Sequence, residues 1–138
     1  MTIINKVVLH TDGACRGNPG QSAIGVLVLD ILGNELDSHK KCIGHKTNNE
    51  SEYHALIEGL QVAAKHTRNE VEVFMDSELI VKQMNGTNRI KAENLYVLFQ
   101  KVKDAERPFS KVIYNWRPRN HPNQIKADKL ANSALDGN

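Results

Sequence analysis

VVLHTDGACRGNPG, Val7 to Gly20, decides how the rest of the chain is read. Val7, Val8 and Leu9 run together without polar alternation, as in a central strand covered on both faces. A strand is therefore predicted over Ile3–Thr11. Gly13–Gly20, with Gly17, Asn18 and Pro19 inside it, reads as a glycine-rich loop. Outward from there, Ile24–Leu29 is a second strand, and Leu32-Gly33-Asn34-Glu35 turns it into a third over Leu36–Ile43. The period then becomes helical over Asn49–Lys65, where Tyr53, Leu56, Leu60 and Ala63 or Ala64 share a face. A strand at Val71–Met75 follows, then a helix capped by Ser77 and closed by Asn85-Gly86. A helix over Asn94–Ala105, a strand over Lys111–Trp116 and a helix over Gln124–Leu135 complete the order. This β-β-β-α-β-α-α-β-α series predicts a mixed sheet flanked by helices, in one domain spanning residues 1–138.

Composition excludes more than it assigns. The 138 residues, 15.5 kDa, carry 18 Lys plus Arg and 16 Asp plus Glu, a net charge of +2. That falls short of the strongly basic balance of a protein that holds nucleic acid by charge alone. With 40% hydrophobic and 25% charged residues, the chain is neither disordered nor fibrous. No apolar run reaches the roughly 18 residues that span a bilayer, so no membrane association is expected. The amino terminus reads as a strand and not as a secretion signal. Cys15 and Cys42 make neither a metal spacing nor a disulfide framework. A reduced, cytoplasmic protein is the expectation.

Four carboxylates are oddly placed. Asp12 ends the first strand, and Asp76 ends VEVFMD, the other strand predicted to be central. Glu52 lies in the first turn of its helix at the head of the series Leu56, Leu60, Ala63. Asp128 begins the last helix beside Ala127 and Ala131. Each has an ordinary reading alone: a turn former for Asp76, a partner for the helix dipole for Glu52 and Asp128. Jointly they can converge, because sites in open α/β sheets collect beyond the carboxyl ends of strands. Converging carboxylates repel unless cations neutralise them. All-oxygen ligand sets suit hard cations such as Mg²⁺ or Mn²⁺.

Four segments resemble the type 1 ribonuclease H family: TDGACRGNPG (Thr11–Gly20), TNNESEYHAL (Thr47–Leu56), MDSELIVKQMNG (Met75–Gly86) and KADKLANSAL (Lys126–Leu135). They occur in the family's order and cover essentially the whole chain. The resemblance implies the ribonuclease H-like fold, a five-stranded mixed sheet of three antiparallel then two parallel strands flanked by helices. It implies a site of Asp12, Glu52, Asp76 and Asp128 holding two Mg²⁺ ions, with Mn²⁺ able to substitute. Glu50 competes with Glu52, but Glu50 shares no i+4 face with Leu56 and Leu60. The implied activity is hydrolysis of the RNA strand of an RNA–DNA hybrid, leaving 5′-phosphate and 3′-hydroxyl ends. Gly13, Cys15, Asn18, Asn48 and Asn49 resemble the family's minor-groove and 2′-hydroxyl contacts, and Thr47 its grip on a DNA-strand phosphate. His121 resembles a mobile histidine that assists catalysis, although it stands only seven residues before Asp128.

The sequence also departs from the family. Many bacterial members carry a basic helical protrusion between the segments that here lie at Asp76 and Leu95; this stretch is short, with Lys82, Arg89 and Lys91. No amino-terminal hybrid-binding module is expected. Substrate grip then falls to scattered groups, Arg16 among them, of which Arg117 and Arg119 are the best placed, while Trp116 reads as a core or strand residue. Setting aside the four site acids leaves 18 − 12 = +6 for the remaining surface. Double-stranded RNA as a second substrate stays open, and a monomer is the default. Two alternatives remain: a hybrid- or double-stranded-RNA-binding module that has lost catalysis, or a nuclease of the same superfold with another nucleic-acid substrate.

Overall fold

The computed structural model describes residues 4–137. Three strands, β1 (Lys6–Arg16), β2 (Gly20–Leu29) and β3 (Glu35–Lys46), precede helix α1 (Asn48–Ala63). Strand β4 (Glu70–Met75), α2 (Glu78–Met84), α3 (Glu93–Ala105), β5 (Lys111–Trp116) and α4 (Pro122–Leu135) follow. The sheet order is β3-β2-β1-β4-β5. β1 pairs antiparallel with β2, and β2 with β3, whereas β4 lies parallel to β1 and β5 parallel to β4. The predicted mixed sheet is the observed one, with β1 at its centre.

Alternation along the strands makes two layers. Val7 and Leu9 of β1, Val26 of β2 and Val71 and Val73 of β4 are fully buried, together with Tyr53, Leu56, Leu60 and Ala63 of α1. Helix α3 adds Leu95, Leu98 and Val102 to the same core. Helix α4 crosses the opposite face over β2 and β1 and buries Gln124, Ala127 and Ala131.

Several element ends differ from expectation by a few residues, and the differences around Gly13–Gly20 and at the start of α4 matter for the site. Gly13–Gly20 is not a loop: β1 continues through Arg16 and β2 begins at Gly20, leaving only residues 17–19 as the turn. The ladder Gly13↔Ile24, Cys15↔Ser22 and Arg16↔Gln21 satisfies the backbone there, so Asp12 lies inside a strand. Helix α4 starts at Pro122, two residues before the predicted start. Proline suits the first helical turn, which lacks an N–H partner anyway, and His121 is the N-cap. Asp128 consequently sits in the middle of α4, where the helix dipole does not account for it. The start of the first predicted strand, Ile3, lies outside the described residues.

Candidate active site

Glu52 is placed by the way α1 begins. Thr47 is the N-cap: its Oγ1 accepts from Glu50 N at 3.2 Å, and Thr47 N donates back to Glu50 Oε1 at 2.9 Å. This capping box uses the Glu50 side chain on the helix end. Two residues on, Glu52 faces β1 in the second turn, one turn later than expected, and accepts a hydrogen bond from Gly13 N. The approach requires a glycine. A Cβ on Gly13 would lie 2.5 Å from the Ser51 carbonyl carbon and 2.7 Å from Glu52 N.

Asp76 directly follows β4 and precedes Ser77, whose hydroxyl caps α2 by accepting from Ile80 N at 3.3 Å. Because β4 and β1 are parallel neighbours, their carboxyl ends open on the same side. One carboxylate oxygen from each of Asp12, Glu52 and Asp76 lies within 4.8 Å of the others. Asp128 comes from the opposite layer: it stands outside this group of three and outside the cleft lining, but lies close enough to Asp12 to add to the upward push on the Asp12 carboxyl. Its Oδ1 also accepts from Asn132 Nδ2 at 3.2 Å. Again a glycine sets the approach: Gly25, the cross-strand partner of Asp12, has no side chain where a Cβ would lie 2.0 Å from Ala127 O.

Burial and mutual repulsion shape the electrostatics. Asp12 and Glu52 are 5% and 8% exposed. Burial, reinforced by the charges of Glu52 and Asp76, pushes the Asp12 carboxyl well above its ordinary range. Burial and then Asp76 push Glu52 upward as well, against the opposing Gly13 N–H. Arg119 Nε approaches Asp76 Oδ2 at 3.8 Å, but its side chain is 90% exposed and so compensates weakly. Buried carboxylates held this close fit a hard divalent cation, and the group of Asp12, Glu52 and Asp76 can hold one.

These acids form one wall of a cleft of about 480 Å³. Gly13, Asn48, Asn49, Ser77, Trp116, Pro118 and Arg119 complete its lining. The expected substrate contacts Gly13, Asn48, Asn49 and Arg119 are thus at the cleft. Asn18 is beside it, its Oδ1 accepting from Asn48 N at 3.0 Å, and docks the turn against the start of α1. Thr47 is occupied by the cap. The Cys15 thiol donates to Lys46 O at 3.2 Å, and the contact expected of this residue is one through its backbone. Arg16 pairs with Asp136 Oδ1 at 2.5 Å, and Arg117 lies over the Phe74 ring at 4.5 Å. His121, expected at the site, lines a separate recess on the α4 side. There its Nδ1 accepts from Asn123 N at 3.2 Å and its ring stacks on His10, 5.7 Å between centroids.

Trp116, read as a core or strand residue, is the last residue of β5 and is not in the core: it is 49% exposed at the cleft, with Nε1 donating to Asp76 O at 3.2 Å. The signal was present in the parallel strands: Glu70–Met75 and Lys111–Trp116 have equal length, and Trp116 is level with Met75.

Comparison with known proteins places this geometry. A family described as reverse transcriptase-like matches residues 10–134. A bifunctional protein of Mycobacterium tuberculosis is 39% identical over 132 residues, 95% of this chain and 36% of its own length. The chain thus spans about a third of the first curated relatives it matches. A ribonuclease H of Rickettsia canadensis is 35% identical, with 93% of this chain covering 88% of it. Among solved structures, the ribonuclease H1 of Halobacterium salinarum superposes with a TM-score of 0.91 at 33% identity, over 96% of this chain and 99% of that one. A ribonuclease H1 solved in complex with an RNA/DNA hybrid gives a TM-score of 0.87 at 38% identity, over 95% and 97% of the two chains.

Proposed function

The chain belongs to the ribonuclease H family, and from that premise we propose that it hydrolyses the RNA strand of RNA–DNA hybrids with two divalent cations, Mg²⁺ or Mn²⁺, leaving 5′-phosphate and 3′-hydroxyl ends. The observation that carries the reading is the convergence of Asp12, Glu52 and Asp76, with Asp128 against Asp12, in a cleft bordered by Asn48 and Asn49. Two ions bound by these carboxylates would supply an activated water and stabilise the departing 3′-oxygen.

The chain's own residues supply placement. Asp12 and Glu52, whose charged forms burial disfavours, give up protons as cations bind, so loading the cleft releases protons. The Asn48 and Asn49 side chains stand at its mouth; amides donate and accept, as discrimination of a 2′-hydroxyl requires. Arg119, exposed at the rim, offers a phosphate partner, and the Trp116 indole, hydrogen-bonded to the Asp76 carbonyl, lines the same cleft as the asparagines. The four acids belong to one chain, which supports action as a monomer.

Labelled RNA, as an RNA–DNA hybrid, as double-stranded RNA and alone, is incubated with Mg²⁺, Mn²⁺ or chelator. Hybrid is expected to be cleaved in the metal-containing lanes and not in chelator, and the double-stranded RNA lane decides whether that substrate is also cut. Asp76→Asn should lower hybrid cleavage by about 10²-fold or more, since it removes charge at the reacting phosphate. Cleavage by Asp76→Asn at the wild-type rate would overturn the assignment.

A further inference from the structure

Behind the acidic cleft, on the α4 face of the sheet, one set of buried groups links three of the elements that carry its acids. His10 and Gln124 are 2% and 1% exposed. His10 Nδ1 and Gln124 Oε1 are 2.7 Å apart, and Gln124 Nε2 donates to Thr11 O at 3.3 Å. A carbonyl oxygen only accepts, so the amide nitrogen faces Thr11 and the amide oxygen faces His10, which therefore carries its proton on Nδ1. The His10 ring is stacked between Phe74, at 5.1 Å and 18°, and His121, at 5.7 Å and 14°. Arg117 closes the outer end of the stack over Phe74.

The sequence positions give this arrangement its meaning. Phe74 stands two residues before Asp76, and His10 two residues before Asp12. Gln124 stands four before Asp128, one helical turn away on the same face of α4. Resting on the reading of the cleft as a metal site, we propose that the His10–Gln124 pair is a positioning latch. It sets the Asp128 carboxylate against Asp12 and thereby completes the metal-binding geometry.

Apolar packing alone would not accomplish this. The bare Cα of Gly25 lets α4 descend until Ala127 O nearly touches the sheet, which fixes the helix height. Height does not by itself set rotation about the helix axis or sliding along it, and the exposed ties Arg16–Asp136, Lys40–Ser133 and Cys42–Ala134 O hold only the carboxyl-terminal end of α4; movement of the other half would swing Asp128 away from Asp12. Two directional hydrogen bonds from one side chain to consecutive residues of β1 remove both freedoms. A buried polar pair is costly unless satisfied, and this one is satisfied only in a single register. The latch also accounts for Arg117 and His121: they hold the two ends of the stack instead of reaching into the cleft.

His10→Phe keeps a ring in the stack and deletes the donor; Gln124→Met keeps the volume and deletes both polar contacts. Mn²⁺ binding is measured by calorimetry and by paramagnetic resonance of free Mn²⁺, with thermal unfolding in chelator as a control on folding. Each variant should stay folded and weaken one Mn²⁺ site about tenfold or more, as outer partners of metal ligands do. Hybrid cleavage should fall in kcat with little change in KM. In an Asp128→Asn background the same substitutions should add less than about threefold, because the group they position is already lost. Should either variant fail to fold, the double variant His10→Phe/Gln124→Met removes both partners of the His10–Gln124 bond together, so neither side chain is left orphaned. Wild-type Mn²⁺ affinity in the folded variants, or full additivity with Asp128→Asn, overturns the latch. A wild-type protein that binds no Mn²⁺ overturns the metal reading of the cleft, and the latch with it.

Discussion

Replacing Gly13 by alanine tests whether the distance between α1 and β1 controls catalysis. Gly13 is not among the glycines with positive φ, so its backbone conformation accepts a side chain and the effect is steric. The added Cβ would lie 2.5 Å from the Ser51 carbonyl carbon, where ordinary contact begins near 3.4 Å, so α1 must retreat by 3.4 − 2.5 = 0.9 Å. The atoms that must move are backbone, and one of them is Glu52 N at 2.7 Å. The displacement therefore passes directly to a proposed metal ligand. Misplacement by about 1 Å costs about 10²-fold in rate. Overpacking costs about 1–3 kcal/mol, which for a domain of this size lowers Tm by about 4–12 °C. Hybrid cleavage under single-turnover conditions and thermal unfolding in chelator measure the two effects separately. Ser51→Ala removes the hydroxyl that would sit 2.6 Å from the new Cβ but leaves the carbonyl carbon, so it should not rescue Gly13→Ala. Rescue by Ser51→Ala, or a Gly13→Ala protein with wild-type rate and Tm, would refute the reasoning.

Three further outcomes follow from the same geometry. Asp12 and Glu52 have native pKa values raised above 3.8 and 4.5, so the native state holds protons that the unfolded chain has released. Stability in chelator, from urea midpoints, should fall as pH rises above about 5, less steeply in Asp12→Asn or with saturating Mg²⁺; a rise with pH would contradict the shifts. Burial lowers His10 from 6.5 to about 4, so the unfolded ring takes a proton first as pH falls through this window. Wild type should therefore lose up to about 3 kcal/mol between pH 6.5 and 4 that His10→Phe does not lose; identical acid sensitivity would count against a neutral buried His10. Trp116 is the only tryptophan in the chain and lines the cleft, so its fluorescence should change on adding hybrid in chelator. An unchanged spectrum at saturating hybrid would place the substrate elsewhere.

Local signals were legible wherever one segment determines its own conformation. The run Val7–Leu9 marked the central strand, Ser77 and Asn85-Gly86 bounded α2, and Leu95, Leu98 and Val102 gave the buried face of α3. The Gly13–Cys15 segment misled because glycine usually signals a turn, whereas Gly13 here serves the approach of a helix to a strand that continues past it. Glu50 and Glu52 were separable by helical face, and the capping box supplies the physical reason that Glu50 is engaged elsewhere.

What remained illegible was the contact between layers. His121 resembles the family's mobile histidine in sequence, but as N-cap of an α4 that starts at Pro122 its ring lies against His10. His10 itself occupies a strand position that any apolar side chain could fill, and nothing local identifies Gln124, 114 residues away, as its partner. Gly25, in the run AIGVLVL, looks like a weakness in a hydrophobic strand. Its consequence appears only when α4 lands on it, opposite Asp12. The acids could be identified from the sequence because charge in an apolar context is costly and therefore conspicuous. Gly13 and Gly25 contribute by having no side chain, so their effect is defined only by the backbone that fills the space. The chemistry of the cleft is thus written in its carboxylates, while its dimensions are set by residues that carry no chemistry at all.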